Sequence, residues 1–254
     1  MVRARGNRPR CSRCRQRWRR LRRGSPYLHD AARALVNAAP ALIELVRAMD
    51  GAEERTANAL RVLAQHGWYL EPEMIPSEAL ARANEFSTGR ADAAHARLRA
   101  KFDARQDDIE AMLCAKSPAR AKFFRSALAA HRRGDYAASI PLLLAQADGL
   151  CWDVTQVQLY ARREGRPRLA SRLTFTEGTT LRSTVLIAFL EPAPISANAD
   201  ERTHLTDYLN HHVVLHGESL DYDTALNSAR AISLVTFVAW ALRKSDVVVK
   251  PATP

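Results

Sequence analysis

Four of the chain's eight histidines fall between His204 and His216. Three of them sit in the run Leu209-Asn210-His211-His212-Val213-Val214-Leu215-His216-Gly217, and Asp221-Tyr222-Asp223 follows at once. Imidazole has its ordinary pKa nearest neutral pH, so histidine is the usual proton carrier in catalysis and a frequent metal ligand. On a helix, His212 and His216 are four residues apart and share a face. His211 lies about 100° around from His212. Gly217 is the residue type at which a helix stops. The run therefore predicts three imidazoles in the last turns of a helix, beside a break where a substrate approaches. The competing reading is an ordinary polar helix end, where the dipole favours a charged histidine.

The same run resembles the signature of bacterial HEPN-type proteins, all-helical domains that include RNA-cleaving toxins and defence nucleases. Their motif is an Arg, a polar residue, three further residues, then His. His212 matches the polar position and His216 the motif histidine; the Arg position holds His211, a departure. A second stretch, Arg120 to Gly149, resembles the helix pair that precedes the motif in one group of these proteins; it includes Ala130-His131, Gly134-Asp135-Tyr136 and Ala145-Gln146-Ala147-Asp148-Gly149. The resemblance covers roughly the second half of the chain. It implies an all-α, HEPN-like bundle and a metal-independent endoribonuclease of a toxin or defence system. It also implies RNA as substrate, a homodimer that brings two motifs together, and an antitoxin or regulatory protein as partner. No cofactor and no metal are implied.

Metal-free RNA cleavage needs a base for the 2′-hydroxyl proton, an acid for the leaving 5′-oxygen and a cation beside the phosphorane. His216, His212 and His211 are the candidate catalytic residues. Asn210 and the basic residues Arg162, Arg163, Arg166 and Arg168 are candidates for holding RNA. A protonated His211 would have to stand in for the absent Arg, without its planar two-pronged fork. Arg162 to Arg172 or Arg230 are the other available cations. Two alternatives compete. One is a helical module that binds RNA, a nucleotide or a protein and has lost the chemistry. The other is a metal site on His212 and His216, which lacks a third ligand at helical spacing because Glu218 falls beyond Gly217.

The net charge of +11 is unevenly spread. Residues 1–24 hold eleven arginines and no acid; the remaining 27 basic residues match the 27 acidic ones. Such a leader either binds polyanions by releasing counterions or comes from a start codon assigned too far upstream. Cys11 and Cys14 form a lone CxxC without a second ligand pair nearby, weak support for zinc. Cys114 and Cys151 fall singly on helical segments, as small core residues do. This usage fits a reducing cytoplasm. No apolar run is long enough to span a membrane.

The elements that must position the histidines follow from helical periodicity. Residues 1–24 read as a disordered basic tail, 25–115 as an N-terminal helical region, 116–245 as the HEPN-like domain and 246–254 as a frayed end. Within them, Tyr27 to Met49 is a helix kinked at Pro40, with a break at Asp50-Gly51. Ala52 to His66 is a second helix stopped by Gly67. Trp68-Tyr69-Leu70 is an ordered apolar loop. Helices over Ser77–Phe86, Ala91–Phe102 and Asp107–Ala115 have narrow apolar stripes and suggest an exposed hairpin. Ser117 caps a helix that ends at Gly134, and Asp135 starts a strongly apolar one. Arg162 to Arg172 is a polar, solvated connection. Thr179 to Leu190 is helix or strand. Asp200 caps the helix that carries the histidines, and Asp221 or Asp223 caps a last, all-round apolar helix.

Overall fold

The computed structural model describes residues 51–75, 77–174, 186, 191–242 and 248–249. The arginine-rich tail, the CxxC, the helix expected over Tyr27–Met49 and nearly all of Thr179–Leu190 lie outside the described residues. Residues 52–254 form one compact unit, with residues 1–51 assigned to another. Helix α1 spans residues 51–65. It is followed by α2 (Ser77–Ser87), α3 (Ala91–Ala104), α4 (Gln106–Lys116), α5 (Ala121–Arg132), α6 (Tyr136–Thr155), two short helices, α7 (Ala199–Arg202) and α8 (His211–Leu215), and the long α9 (Ala225–Ala241). Four two-residue strands pair antiparallel: β1 (Arg162–Arg163) with β2 (Arg166–Pro167), and β3 (Leu173–Thr174) with β4 (Val248–Val249). The class is all-α.

Helix α9 is the centre. Ile232, Val235, Phe237 and Val238 have no exposure and Leu234 has 1%. Its apolar residues run all round, the pattern of a helix buried on every side. It packs most extensively along α6 and also meets α3 and α4. Two of its hydroxyls bond back along the helix: Ser233 Oγ donates to the Arg230 carbonyl at 2.8 Å and Thr236 Oγ1 to that of Ile232 at 2.7 Å. The cap is Thr224, whose Oγ1 accepts from Asn227 N at 3.1 Å, and not Asp221 or Asp223. Those two acids fall short of the first turn because the chain is still extended at Thr224.

Helix α6 opens on Asp135, whose Oδ1 accepts from Ala138 N. It then passes through Pro141, which has no N–H to give to the Ala137 carbonyl four residues back. The Tyr222 hydroxyl donates to that carbonyl instead, at 3.1 Å. The tyrosine after the histidine run thus repairs a defect in the helix beneath it. Helices α2 to α4 are not an exposed hairpin. Ala79, Ala94, Leu98, Phe102, Ile109 and Leu113 are at most 1% exposed and belong to the same core cluster as α9, which is continuous across residue 115. Their stripes are narrow because alanines do much of the packing there. The loop Trp68-Tyr69-Leu70 is buried as expected. Helix α1 includes Gly51, so the expected break does not fall there.

Candidate functional site

The histidines do not end a long helix; they begin a short one. Asp200 lies inside α7, whose cap is Asn198, with Glu201 Oε2 accepting from the Asn198 amide. The chain then leaves the helix, and Asp207 adopts a left-handed backbone, φ 50°. The side chain of Asp207 is pinned by Arg230 of α9, which donates to both of its oxygens at 3.1 Å. Three residues on, Asn210 starts α8. Its Oδ1 accepts from His212 N at 2.9 Å, and its Nδ2 donates to the carbonyls of Pro194 at 2.6 Å and Ala197 at 2.9 Å. Asn210 is fully buried and both ends of its amide are engaged in the fold. It positions the histidines. His211 and His212 are thus the first two residues of α8 and His216 its C-cap, with Gly217 at φ 70° beyond.

The three imidazoles lie in series. His211 and His212 ring centroids are 3.8 Å apart, and His212 and His216 are 5.7 Å apart and nearly parallel. His211 stacks on Tyr160 at 4.1 Å. Its Nδ1 donates to the Ile195 carbonyl at 2.8 Å, which fixes the proton on Nδ1 and leaves Nε2 as the acceptor. Burial pulls its pKa down to about 4, more than the Ile195 contact raises it. His211 is therefore neutral at working pH and does not replace the motif arginine as a cation. His212 is half-buried, and its pKa is lowered by that burial and then by the nearby charges of His216 and Arg202. His216 is exposed.

These residues wall a cleft of about 460 Å³. Tyr160, Arg162, Gly165 and Asp148 line it with the three histidines. Burial raises the pKa of Asp148. Arg162 is the cation of the cleft. It donates through Nη2 to Glu201 Oε1 at 2.9 Å and through Nη1 to the Ser196 carbonyl at 3.2 Å, with further bonds to Glu201 Oε2 and the Gly165 carbonyl. Its side chain is 7% exposed, and its Nε is buried without a partner among the described residues. Arg163, Arg166 and Arg168 are not in this cleft. They line a neighbouring concavity. Nor is Arg230 a candidate: it has no exposure and serves Asp207 and Asn227. The polar connection of the sequence reading is a β-hairpin and a 3-10 turn, so Arg162 and Arg163 point to opposite sides.

Sequence reasoning missed Tyr160, Asp148 and Arg202. Arg202 donates to Glu218 Oε2 at 3.0 Å and depresses the pKa values of His211 and His212. None of the three falls at a motif spacing from the histidines. Also missed is a series Asp103–His131–Ser228, with His131 Nε2 3.1 Å from Asp103 and Nδ1 2.7 Å from Ser228 Oγ. Hydrolases use that set, but here Ser228 has no exposure and also touches Ser139 Oγ at 3.2 Å. It braces α3, α5, α6 and α9. Among the described residues no group of three His, Cys, Asp or Glu side chains is arranged to hold a metal ion, and no helix is long and apolar enough to cross a membrane. Comparison with family models, curated proteins and solved structures finds no match.

Proposed function

We propose that the histidine cleft is the centre of a metal-independent endoribonuclease of the HEPN type. In this reading it works as a cytoplasmic homodimer in a bacterial toxin or defence system, restrained by an antitoxin or regulatory protein. The observation that carries the reading is two adjacent imidazoles kept neutral by burial, beside an exposed third and a buried guanidinium, in one cleft. His212 accepts the 2′-hydroxyl proton. The freed 2′-oxygen attacks phosphorus, the bond to the 5′-oxygen breaks, and His216 protonates that oxygen. Arg162 takes the place of the motif arginine, since its charge persists at every working pH. His211 holds the His212 ring between itself and the cleft.

The test is cleavage of single-stranded RNA in chelator. Wild type yields ends with 2′,3′-cyclic phosphate, and His216→Ala abolishes the products while keeping its circular dichroism. His211→Arg, which returns the motif residue, raises the rate. A second reading is favoured by one observation: the Arg162 fork is already engaged by Glu201, Ser196 and Gly165. A helical module that binds without cutting would look the same. Folded wild type and His211→Arg that both leave varied RNAs intact make that second reading the answer.

A further inference from the structure

The hairpin β1–β2 divides its arginines between two faces. Arg162 turns into the histidine cleft, while Arg163 and its cross-strand partner Arg166 share the opposite face. With Arg168 and Arg172 they line a second concavity of about 480 Å³, in which Glu164 is the one acidic lining residue. Glu164 also lines the histidine cleft, so the two hollows abut along the hairpin tip. The tip is a two-residue turn with φ 54° at Glu164 and 75° at Gly165. Both central residues are left-handed, as a type I′ turn demands. Glycine adopts that backbone freely; glutamate does so at a cost of about 1 kcal/mol. This turn places the arginine face beside the cleft. Arg163 is 82% exposed and its nearest acid is Glu164 at 3.6 Å, a weak pair in water. Four guanidinium groups around one hollow, in a body whose 27 basic and 27 acidic residues cancel overall, form a site for a polyanion.

Resting on the ribonuclease reading, we propose that this face holds the backbone phosphates of single-stranded RNA next to the phosphate that enters the histidine cleft. His211 is recessed, at 7% exposed, and His212 is half-buried beside it, and a paired strand cannot swing one nucleotide down to them without unpairing it. An unpaired strand can, and it offers bases for stacking. Trp152, 47% exposed, lies one turn along α6 from the cleft-lining Asp148 and on the same face. It is placed to receive such a base.

The experiment uses the full chain and a fluorescent uridine 12-mer with 2′-O-methyl riboses, which binds but cannot be cut. Replacing Arg163, Arg166 and Arg168 together by alanine lowers affinity at least tenfold and reduces the salt slope by about 2, at roughly 0.7 per phosphate contact on a single strand. The arginine-rich tail is present in both proteins, so it cancels in the difference. The triple lysine variant keeps the slope. Trp152→Ala weakens the single strand at least fivefold. Equal affinity and slope for the alanine variant overturn the proposal, and so does a lysine variant as weak as the alanine one. A blunt RNA duplex that suffers the same losses from both sets of changes overturns the single-strand assignment. Because the strand is uncuttable, these outcomes are independent of whether the cleft cleaves RNA.

Discussion

Two clusters in this molecule each join an imidazole, a guanidinium and a carboxylate and do opposite things. In one, His95, Arg230 and Asp207 meet under α9; in the other, His211, Arg162 and Glu201 meet at the cleft. Burial holds both histidines near a pKa of about 4. The difference is where their nitrogens go. His95 Nδ1 accepts from Trp68 Nε1 at 2.9 Å, so its proton sits on Nε2, facing Asp207 Oδ2 at 3.6 Å. Its ring is spent on the fold. His211 carries its proton on Nδ1 and keeps Nε2 open as an acceptor on a residue that lines the cleft. The same contrast separates the arginines: Arg230 has no exposure and ties α9 to the loop before α8, while Arg162 borders open space. The same functional groups become architecture or candidate chemistry according to whether a lone pair or a donor faces a cavity.

The sharpest way to break the comparison is Arg230→Ala. The change empties a fully buried site and strands Asn227. It also frees the Asp207 loop that leads into Asn210. Asp207 is 59% exposed and water can take over its pairing, so the cost is that of the emptied site and the stranded Asn227, about 2–3 kcal/mol. Urea unfolding should show a midpoint drop of that size at unchanged slope. At Arg162, which borders an open cleft that water can fill once the side chain is removed, alanine should cost less. Equal losses at the two arginines would erase the distinction. Gly67, at φ 79°, belongs to the same test: a Cβ there would lie 3.1 Å from Arg230 Cδ, so Gly67→Ala should also destabilise.

Acid sharpens the comparison next. An unfolded histidine takes up a proton near pH 6.5, whereas folded His95 and His211 do so near 4. Between those values the unfolded chain binds more protons. Their contribution to stability is therefore complete above about pH 6.5 and is lost as pH falls towards 4. Each contributes on the order of 3 kcal/mol at full extent. Urea midpoints should fall steadily from pH 7 to pH 5; a flat profile contradicts the burial of both rings. Nitrogen-15 spectra then tell them apart, with His95 showing the Nε2–H tautomer and His211 the Nδ1–H tautomer.

Asn210 comes third. Asn210→Ala removes the acceptor for His212 N and both donors to the Pro194 and Ala197 carbonyls. The lost cap and the stranded carbonyls together cost about 2 kcal/mol. Asn210→Asp keeps the cap oxygen but turns the donor end into an acceptor facing two carbonyls in a fully buried site, so it should cost at least as much as alanine. In the alanine variant α8 frays, and the His211 pKa should climb from about 4 towards its ordinary value, read by NMR titration. A His211 pKa that stays put would mean that Asn210 does not hold the histidines in place.

Much of this architecture was legible because helices announce themselves locally. Gly67, Gly134 and Gly217 mark ends, Asp135 a start, and the all-round apolar run a central helix. Two local signals misled. Asp200 resembles a cap, but Asn198 two residues earlier takes that role. The helix expected there stops after four residues, at Arg202, and Asp207, held by Arg230 from 23 residues away, then takes a left-handed backbone before Asn210. The basic run Arg162–Arg172 has the composition of a loop, yet Glu164-Gly165 folds it into a hairpin that sends its arginines two ways. The histidine triplet was visible as spacing. The neutrality of His211 was not, since it arises from burial, in part against the ring of Tyr160, which no spacing connects to it.

The smallest expected effect is the one that speaks most directly to the cleft. Arg162 is held by Glu201 through both guanidinium terminal nitrogens, and this pair draws the Glu201 carboxyl below its usual range. A phosphate entering the cleft must compete with that carboxylate for the same fork, because bidentate guanidinium pairing suits both anions. Glu201→Gln keeps one oxygen as an acceptor and removes the charge. Glu201 is nearly half exposed, so stability should move by less than about 1 kcal/mol. Affinity for the uncuttable RNA 12-mer should rise several-fold, because Arg162 is released towards its second partner. The matched change Asp207→Asn should leave RNA affinity where it was, since Arg230 borders none of the described cavities, and should destabilise instead. If Glu201→Gln weakens RNA binding, Arg162 is a brace like Arg230, and the two clusters are alike after all.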